Sequence, residues 1–336
     1  MNRRCTLTIS VCLALLFVAF IALSKRADRG NARAETKTHH DDAYQAFQKG
    51  KCKSCHPAIW REWEKSMHAQ AWTDVIYQAA AAQVADRENR CDACHAPEPI
   101  LVTGIGKMPI LRARHREAGV SCLVCHLDAD GAMHGPPASA ETNFHANITN
   151  AVYTEPTPLC ATCHGQPSVP AHDLVTSFRE SRFAAENKTC ATCHMPAVKR
   201  LQSTASYESI AGRKHTWQGS RSVAQLKRAA TLNLNFTENS ATVTLQNKAG
   251  HLLPGNIYRV IVLDVTLFTA AGNVRQTSRH TFSEAQANRL PADARRTFVF
   301  DAQAGDTIEA RLRYQLTTET PEASWIRMAE VRAIVP

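Results

Sequence analysis

The stretch Cys52-Lys53-Ser54-Cys55-His56 is the first of five copies of one short motif, Cys-x-x-Cys-His. The other four copies lie at residues 91–95, 122–126, 160–164 and 190–194. Ten of the twelve cysteines belong to these motifs, and the other two, Cys5 and Cys12, lie in an apolar N-terminal segment. The regular recurrence of the pattern predicts five equivalent sites along one segment of the chain.

The motif has the spacing needed to attach a haem covalently. Two thiols three residues apart add to the two vinyl groups of one haem, and the following histidine ligates its iron. A redox thiol pair, a disulfide or a zinc site would not require that histidine, and zinc ribbons usually place their two pairs roughly 15–20 residues apart. Here successive first cysteines are 39, 31, 38 and 30 residues apart. The motifs predict five haem c groups held by Cys52, Cys55, Cys91, Cys94, Cys122, Cys125, Cys160, Cys163, Cys190 and Cys193, with His56, His95, His126, His164 and His194 as proximal ligands.

The formal net charge of +9 is a poor guide to binding partners. Residues 1–34 contribute +5 of that charge, which leaves +4 for the rest of the chain. Five oxidised haems would add about −5, because each carries two propionates around a ferric core. The mature holoprotein is therefore predicted to be nearly neutral, and nucleic acid is not an expected partner.

The N-terminus predicts export. Arg3 and Arg4 precede an apolar run over residues 7–23, which is typical of a signal peptide but also long enough to suggest a membrane anchor. We expect residues 1–34 to be one or the other. The body of the chain is then expected on the periplasmic or extracellular side of a bacterial membrane.

The remaining chain divides into two predicted domains. Residues 35–225 contain every haem motif and few sustained apolar runs, so a loop-rich, mainly α domain packed around its haems is expected. Helices are predicted over 58–72, 73–86 and 174–185. Residues 226–336 lack cysteine and show repeated alternation of apolar and polar residues. Seven predicted strands, at 231–236, 241–246, 259–268, 274–282, 296–300, 307–314 and 327–335, favour an immunoglobulin-like β-sandwich.

Histidines are numerous enough to supply the sixth ligands of the irons. Ten lie outside the motifs, at positions 39, 40, 68, 115, 134, 145, 172, 215, 251 and 280. His68 follows His56 through a predicted helix of twelve residues, which spans about 18 Å, whereas two ligands of one iron lie only about 4 Å apart. His68 is therefore predicted to ligate a neighbouring haem. Methionine is a weaker alternative ligand, and histidine pairs predict low reduction potentials.

Several local patterns carry a family resemblance. The first motif is followed by Trp60, Trp63, Ser66 and His68, the third is preceded by Gly119-Val120 and followed by His134, and Phe178-Arg-Glu-Ser181-Arg-Phe183 leads to the fifth motif and then His215. In these features the haem segment resembles the multihaem cytochromes of the c-554/c-552 type. Gly250-His251-Leu-Leu-Pro254-Gly255 is similar to a segment often attached to such cytochromes.

The resemblance implies distal-ligand roles for His68, His134 and His215. His115, shortly before the third motif, is a further candidate. His251 is another, and as a ligand it would dock the β domain onto a haem; the alternative is a turn histidine hydrogen-bonded to the backbone.

Electron transfer between redox partner proteins is the predicted function. The alternative is an oxidoreductase that acts on nitrite, hydroxylamine or nitric oxide at a haem with an open sixth position. Related nitrite reductases usually place lysine at the active motif, whereas all five motifs here end in histidine. The β domain could also serve docking or assembly, which is compatible with the carrier function.

Overall fold

The computed structural model describes residues 41–136, 144–166 and 174–336. The predicted export segment, His39, His40 and His172 lie outside these ranges. Within them, no helix is long and apolar enough to cross a membrane.

The first part of the chain, to about residue 222, consists of short helices joined by loops. They are α1 (41–48), α2 (Lys51–Cys55), α3 (Pro57–Trp63), α4 (Val75–Ala81), α5 (Ala93–His95), α6 (Ile100–Thr103), α7 (Cys122–His126), α8 (Thr157–His164), α9 (Leu174–Arg179), α10 (Arg182–Ala185) and α11 (Cys190–His194). A π-turn, Glu88–Asp92, leads directly into α5. Four haem motifs therefore lie on a helix that ends at the histidine or one residue before it, and the second motif begins in the π-turn and ends with α5.

The helices are shorter than predicted, for reasons visible in their hydrogen bonds. After Trp63 the chain continues as turns, because the Ser66 hydroxyl accepts from the Ala69 amide and the His68 carbonyl accepts from the Val120 amide. Ser181 divides the predicted 174–185 helix, since its hydroxyl caps α10 by accepting from the Ala184 amide. These local side-chain bonds compete with helix continuation.

Two small sheets interrupt the helical segment. Strand β1 (Met133–Gly135) pairs in parallel with β2 (Asn147–Thr149), and β3 (Ala197–Arg200) pairs antiparallel with β4 (Ile210–Arg213). Both are short, in keeping with the expected loop-rich, mainly α domain.

The second part is a β-sandwich, and all seven predicted strands are confirmed. They are β5 (Ala230–Thr237), β6 (Ser240–Asn247), β7 (Val260–Phe268), β8 (Val274–Phe282), β9 (Arg295–Asp301), β10 (Thr307–Gln315) and β11 (Ile326–Ile334). One sheet has the order β5-β6-β9 and the other β11-β10-β7-β8, with every pairing antiparallel. The fold is thus a haem-binding helical segment followed by an all-β domain.

Alternation along the strands builds the core of the sandwich. Ala241, Val243 and Leu245 of β6 point inward from one sheet, and Ile308, Ala310 and Leu312 of β10 from the other, all fully buried. Helix α12 (Val223–Ala229) adds Leu226 to the same core. The short helix that precedes β5 therefore packs with the sandwich.

Candidate haem sites

A connected cavity of 3440 Å³ runs through the helical segment and reaches the β domain. Small-molecule pockets usually measure about 300–1,000 Å³, so this cavity could accept several large groups. Its walls include all ten motif cysteines and all five motif histidines, together with His68, His134, His145, His215 and His251. We number the sites 1 to 5 in the order of their motifs.

Four of the five motif histidines face a second histidine ring among the described residues. The ring centres are 6.4 Å apart for His56 and His145, 6.2 Å for His164 and His68, 6.3 Å for His126 and His215, and 6.3 Å for His194 and His251. In no pair do both members come from neighbouring stretches of sequence. The sites are therefore interleaved along the chain.

This spacing matches an iron held between two imidazoles. Metal–imidazole bonds of about 2 Å, with about 1.2 Å from each nitrogen to its ring centre, separate the two ring centres by about 6.3 Å. Rings stacked directly on one another would lie much closer. The residues present thus fit haem iron at sites 1, 3, 4 and 5.

Hydrogen bonds hold most of these rings in the orientation that ligation requires. Nδ1 of His56, His95, His126, His194, His215 and His251 lies 2.6–3.0 Å from the main-chain carbonyls of Gln202, Ala71, His134, Gln218, Arg213 and Leu252, respectively. A carbonyl only accepts, so Nδ1 must carry the proton and the Nε2 lone pair stays available. Metal-binding histidines are commonly oriented in this way.

Burial keeps three of the distal rings neutral by lowering their pKa. Burial and the neighbouring His164 lower the pKa of His68 to about 3. Burial and the neighbouring His126 lower the pKa of His215 to about 4. Burial also lowers the pKa of His251, although its bond to the Leu252 carbonyl opposes the shift. Each of these three rings is therefore neutral at neutral pH, with one ring nitrogen unprotonated and able to ligate a metal.

The two cysteines of the third motif suit thioether bonds better than metal ligation as thiolates. Burial raises the pKa of both Cys122 and Cys125 to about 12, so these thiols stay uncharged at neutral pH. A thioether is also uncharged and can be buried at little cost, whereas a buried thiolate needs a cation beside it. In the described ranges, no three His, Cys, Asp or Glu side chains converge as a metal-ion site would require.

Contacts between motifs connect the sites to one another. The Cys94 and Cys163 side chains are neighbours, which joins sites 2 and 4, and the neighbouring Cys160 and Cys190 side chains join sites 4 and 5. Cys52 and Cys122 pack against one apolar cluster, which joins sites 1 and 3. Cys125 and Cys163 pack against another, which joins sites 3 and 4. Site 4 thus adjoins three of the other four sites.

Site 2 differs from the other four. Among the described residues, no histidine ring lies opposite His95 at the ligand spacing. Instead the Tyr77 ring stacks on the His95 ring at 3.5 Å, with the two planes 7° apart. A ring on the imidazole face lies perpendicular to the Nε2 lone pair, so Tyr77 is not placed across an iron. The Tyr77 hydroxyl donates to the buried Asp92, which also accepts from Arg87 at 2.8 Å.

Two predicted distal ligands have other partners. His134 Nε2 lies 2.7 Å from Asp128, and its Nδ1 lies 3.1 Å from the Asn150 amide, so neither nitrogen points to a free position. His115 stacks on Tyr44 with ring centres 5.9 Å apart. Neither ring faces a motif histidine in the described structure, so this geometry does not support the two predicted ligand roles.

His145 is the distal candidate that sequence reasoning did not select. It was one of ten histidines outside the motifs and carries no motif of its own. Its partner, His56, is 89 residues away in sequence, and only the tertiary structure brings the two rings together. No local spacing signal could have distinguished it.

The β domain contributes to site 5 through the loop that follows β6. The buried Asn247 amide donates to the carbonyls of His251 and Pro291, which fixes this loop within the sandwich. The loop also contacts the helical segment, since the Leu252 amide donates to the Ser177 hydroxyl at 2.7 Å. His251 is thereby held against His194.

Comparisons with known proteins agree with this description. The family model described as cytochrome c554 and c-prime matches residues 51–127. The penta-heme cytochrome c552 from Thermochromatium tepidum is similar in fold, with a TM-score of 0.62 and 19% identity over 84% of this chain and 97% of that one. No curated protein matches.

Two further structures resemble about a third of the chain. A β-glucuronidase 2 mutant from Bacteroides uniformis has 14% identity over 32% of this chain and 13% of that one, with a TM-score of 0.18. The hypothetical protein PH1083 from Pyrococcus horikoshii has 10% identity over 32% of this chain and 86% of that one, with a TM-score of 0.22. Neither likeness is close enough to bear on function.

Motifs, ligand geometry and fold together define a multihaem c-type cytochrome with a C-terminal β domain. Its segment 51–127 carries the cytochrome c554 family pattern. The motifs, the match over residues 51–127 and the fold together support covalent binding of haem c.

Proposed function

We propose that the chain is an exported pentahaem cytochrome that passes electrons between redox partner proteins. The observation that supports this most directly is the set of four histidine pairs at 6.2–6.4 Å. An iron with two histidine ligands has no position for a substrate, so such sites favour electron transfer over chemistry on a metabolite.

The residues of the chain set the spacing and the electronic environment of the sites. When bound, haem supplies a one-electron couple at each site. The motif helices fix the attachment points, and contacts among the cysteines hold neighbouring sites together. The carbonyls bonded to Nδ1 orient the imidazoles and raise their basicity, which stabilises the oxidised state and lowers the potential.

The contacts suggest a route through the molecule. Sites 1, 3, 4 and 5 form a continuous series, and site 2 branches from site 4. The two ends of the series, sites 1 and 5, are then the positions from which partner proteins would exchange electrons.

The proposed location follows from the N-terminal sequence. Arg3, Arg4 and the apolar run over 7–23 support export and leave a cleaved signal or a retained anchor as alternatives. Bacterial c-type cytochromes receive their haem outside the cytoplasm, which fits a periplasmic or extracellular location. The redox partners are expected there.

Two measurements test the proposal. Intact mass spectrometry of the holoprotein should show five covalent haems. Protein-film voltammetry should show a reversible envelope of five one-electron couples that needs no added substrate. Fewer than five haems, or couples that exchange electrons only when a small molecule is supplied, would argue against a pentahaem carrier.

Site 2 favours one alternative, an oxidoreductase that acts on a small nitrogen compound. The observation behind it is the lack of a histidine opposite His95 among the described residues. Under this alternative, nitrite, hydroxylamine or nitric oxide changes the visible spectrum of one haem and sustains turnover. Spectral titration with each compound, followed by an assay for its consumption, separates ligand binding alone from catalysis.

A further inference from the structure

The hydrogen bonding of His68 differs from that of the ring histidines at sites 3 and 5. Its Nδ1 is inaccessible to solvent and has no hydrogen-bond partner, while the ring as a whole lines the cavity. At sites 3 and 5, by contrast, both members of the pair donate Nδ1–H to a main-chain carbonyl. A buried donor left unpaired is uncommon and calls for an explanation.

The surroundings of His68 explain why Nδ1 stays unpaired. The Trp217 ring packs against it, with ring centres 4.7 Å apart. The main-chain carbonyl of His68 itself accepts a hydrogen bond from the Val120 amide at 2.9 Å. The indole thus packs against an imidazole whose Nδ1 has no acceptor, unlike the four ring histidines of sites 3 and 5.

We propose that this arrangement gives the haem at site 4 a higher reduction potential than the haems at sites 3 and 5, so that electrons collect at the junction of the cluster. The inference rests on the proposed function and on the His68–His164 pair. A ligand whose Nδ1–H has no acceptor is a weaker electron donor and stabilises the oxidised iron less. Burial in an apolar setting acts in the same direction, because the oxidised site carries more positive charge.

Because site 4 adjoins three other sites, its higher reduction potential would direct electrons toward it. Its cysteines contact those of sites 2 and 5, and it shares an apolar cluster with site 3. An electron supplied by a low-potential partner protein to site 3 or 5 would move to site 4, which is reduced as its neighbour is reoxidised. Site 4 would then hold the electron next to site 2.

Redox titration of the holoprotein tests the order of potentials. The variants His68→Ala, His215→Ala and His251→Ala should each remove one low-spin couple, which assigns sites 4, 3 and 5. In the wild-type protein, the reduction potential assigned to site 4 should exceed each of the other two by about 59 mV. This difference corresponds to about a tenfold equilibrium constant for moving one electron to site 4. A site 4 couple at or below those of sites 3 and 5 would overturn the inference.

Two substitutions at one position isolate the hydrogen bond. Trp217→Gln places an amide oxygen beside His68, whereas Trp217→Leu removes the indole without adding an acceptor. The glutamine variant should lower the site 4 potential relative to the leucine variant, and equal shifts would contradict the inference.

If the histidine variants left all low-spin couples in place, the pairing behind the proposed function would fail. A wrong order with the pairing intact would refute this inference alone.

Discussion

At the scale of single residues, haem attachment and distal ligation depend on different kinds of information. Covalent attachment needs two cysteines and a histidine within five consecutive residues, so the information is local. A distal ligand needs only one histidine at the right point in space. The sequence predicted five distal ligands: His68, His215, His251, His134 and His115. The rings of the last two have other partners. His145 was not selected.

One substitution tests the ligand geometry at a single residue. His68→Ala should convert one low-spin haem to high spin, because it removes the ring opposite His164. Electron paramagnetic resonance of the oxidised protein measures the change. His134→Ala is the matched control and should leave the spin states as in wild type, since the His134 ring bonds Asp128 instead. The reverse result would restore His134 as a ligand.

At the scale of elements, strands were easier to predict than helices. Strands β6 and β10 alternate because one face of each sheet packs against the other sheet, as in the inward-facing Val243 and Leu312. In the helical segment the buried apolar surface must come largely from haem, so the periodicity is weak. Backbone groups there bond distant segments, as the His68 carbonyl does, and the helices end early.

The loop after β6 couples the two parts of the molecule. His251→Ala should make one haem high-spin and also loosen the contact between the β domain and α9, because the ligand bond would no longer reinforce the Leu252–Ser177 hydrogen bond. Hydrogen exchange measured by mass spectrometry should rise in peptides covering 174–179 and 249–256. Peptides from β7 and β10 serve as the control and should be unchanged. Unaltered exchange around the loop would show that site 5 does not fasten the domain.

An ion-pair cluster on the outer face of the sandwich gives a pH prediction. Although burial opposes the shift, hydrogen bonds from Arg279 and Arg313 lower the pKa of Asp264. A carboxyl with a lowered folded-state pKa stabilises the fold at neutral pH, and the effect is lost as the pH falls through that value. Asp264→Asn should therefore cost about 1 kcal/mol or less at pH 7, and little in acid.

Thermal unfolding followed by circular dichroism at both pH values measures this difference. Asp301→Asn, at an exposed position on the end of β9, is the control and should have little effect at either pH. An Asp264→Asn penalty that persists in acid would mean that the cluster acts through packing rather than charge.

At the scale of the whole molecule, the interleaved pairs make the helical segment depend on its cofactors. Each pair joins distant stretches, and the space between them is a cavity of 3440 Å³ in the protein alone. The sandwich, by contrast, has its own apolar core. A chain produced without haem attachment should therefore retain strand structure and lose most helix.

Far-UV circular dichroism and hydrogen exchange of the haem-free chain check this expectation. Slow exchange should persist in β6, β7 and β10, and exchange should be fast in α7, α8 and α11. Slow exchange in those helices would show that the helical segment folds without haem.

The central claim is that four haems have two histidine ligands, whereas no histidine among the described residues lies opposite His95 at the ligand spacing. Quantitative electron paramagnetic resonance of the oxidised holoprotein tests this most directly, because it counts low-spin and high-spin irons in one sample. We predict four low-spin irons and one high-spin iron. Five low-spin irons would place a sixth ligand on the His95 haem, and fewer than four would break at least one of the histidine pairs.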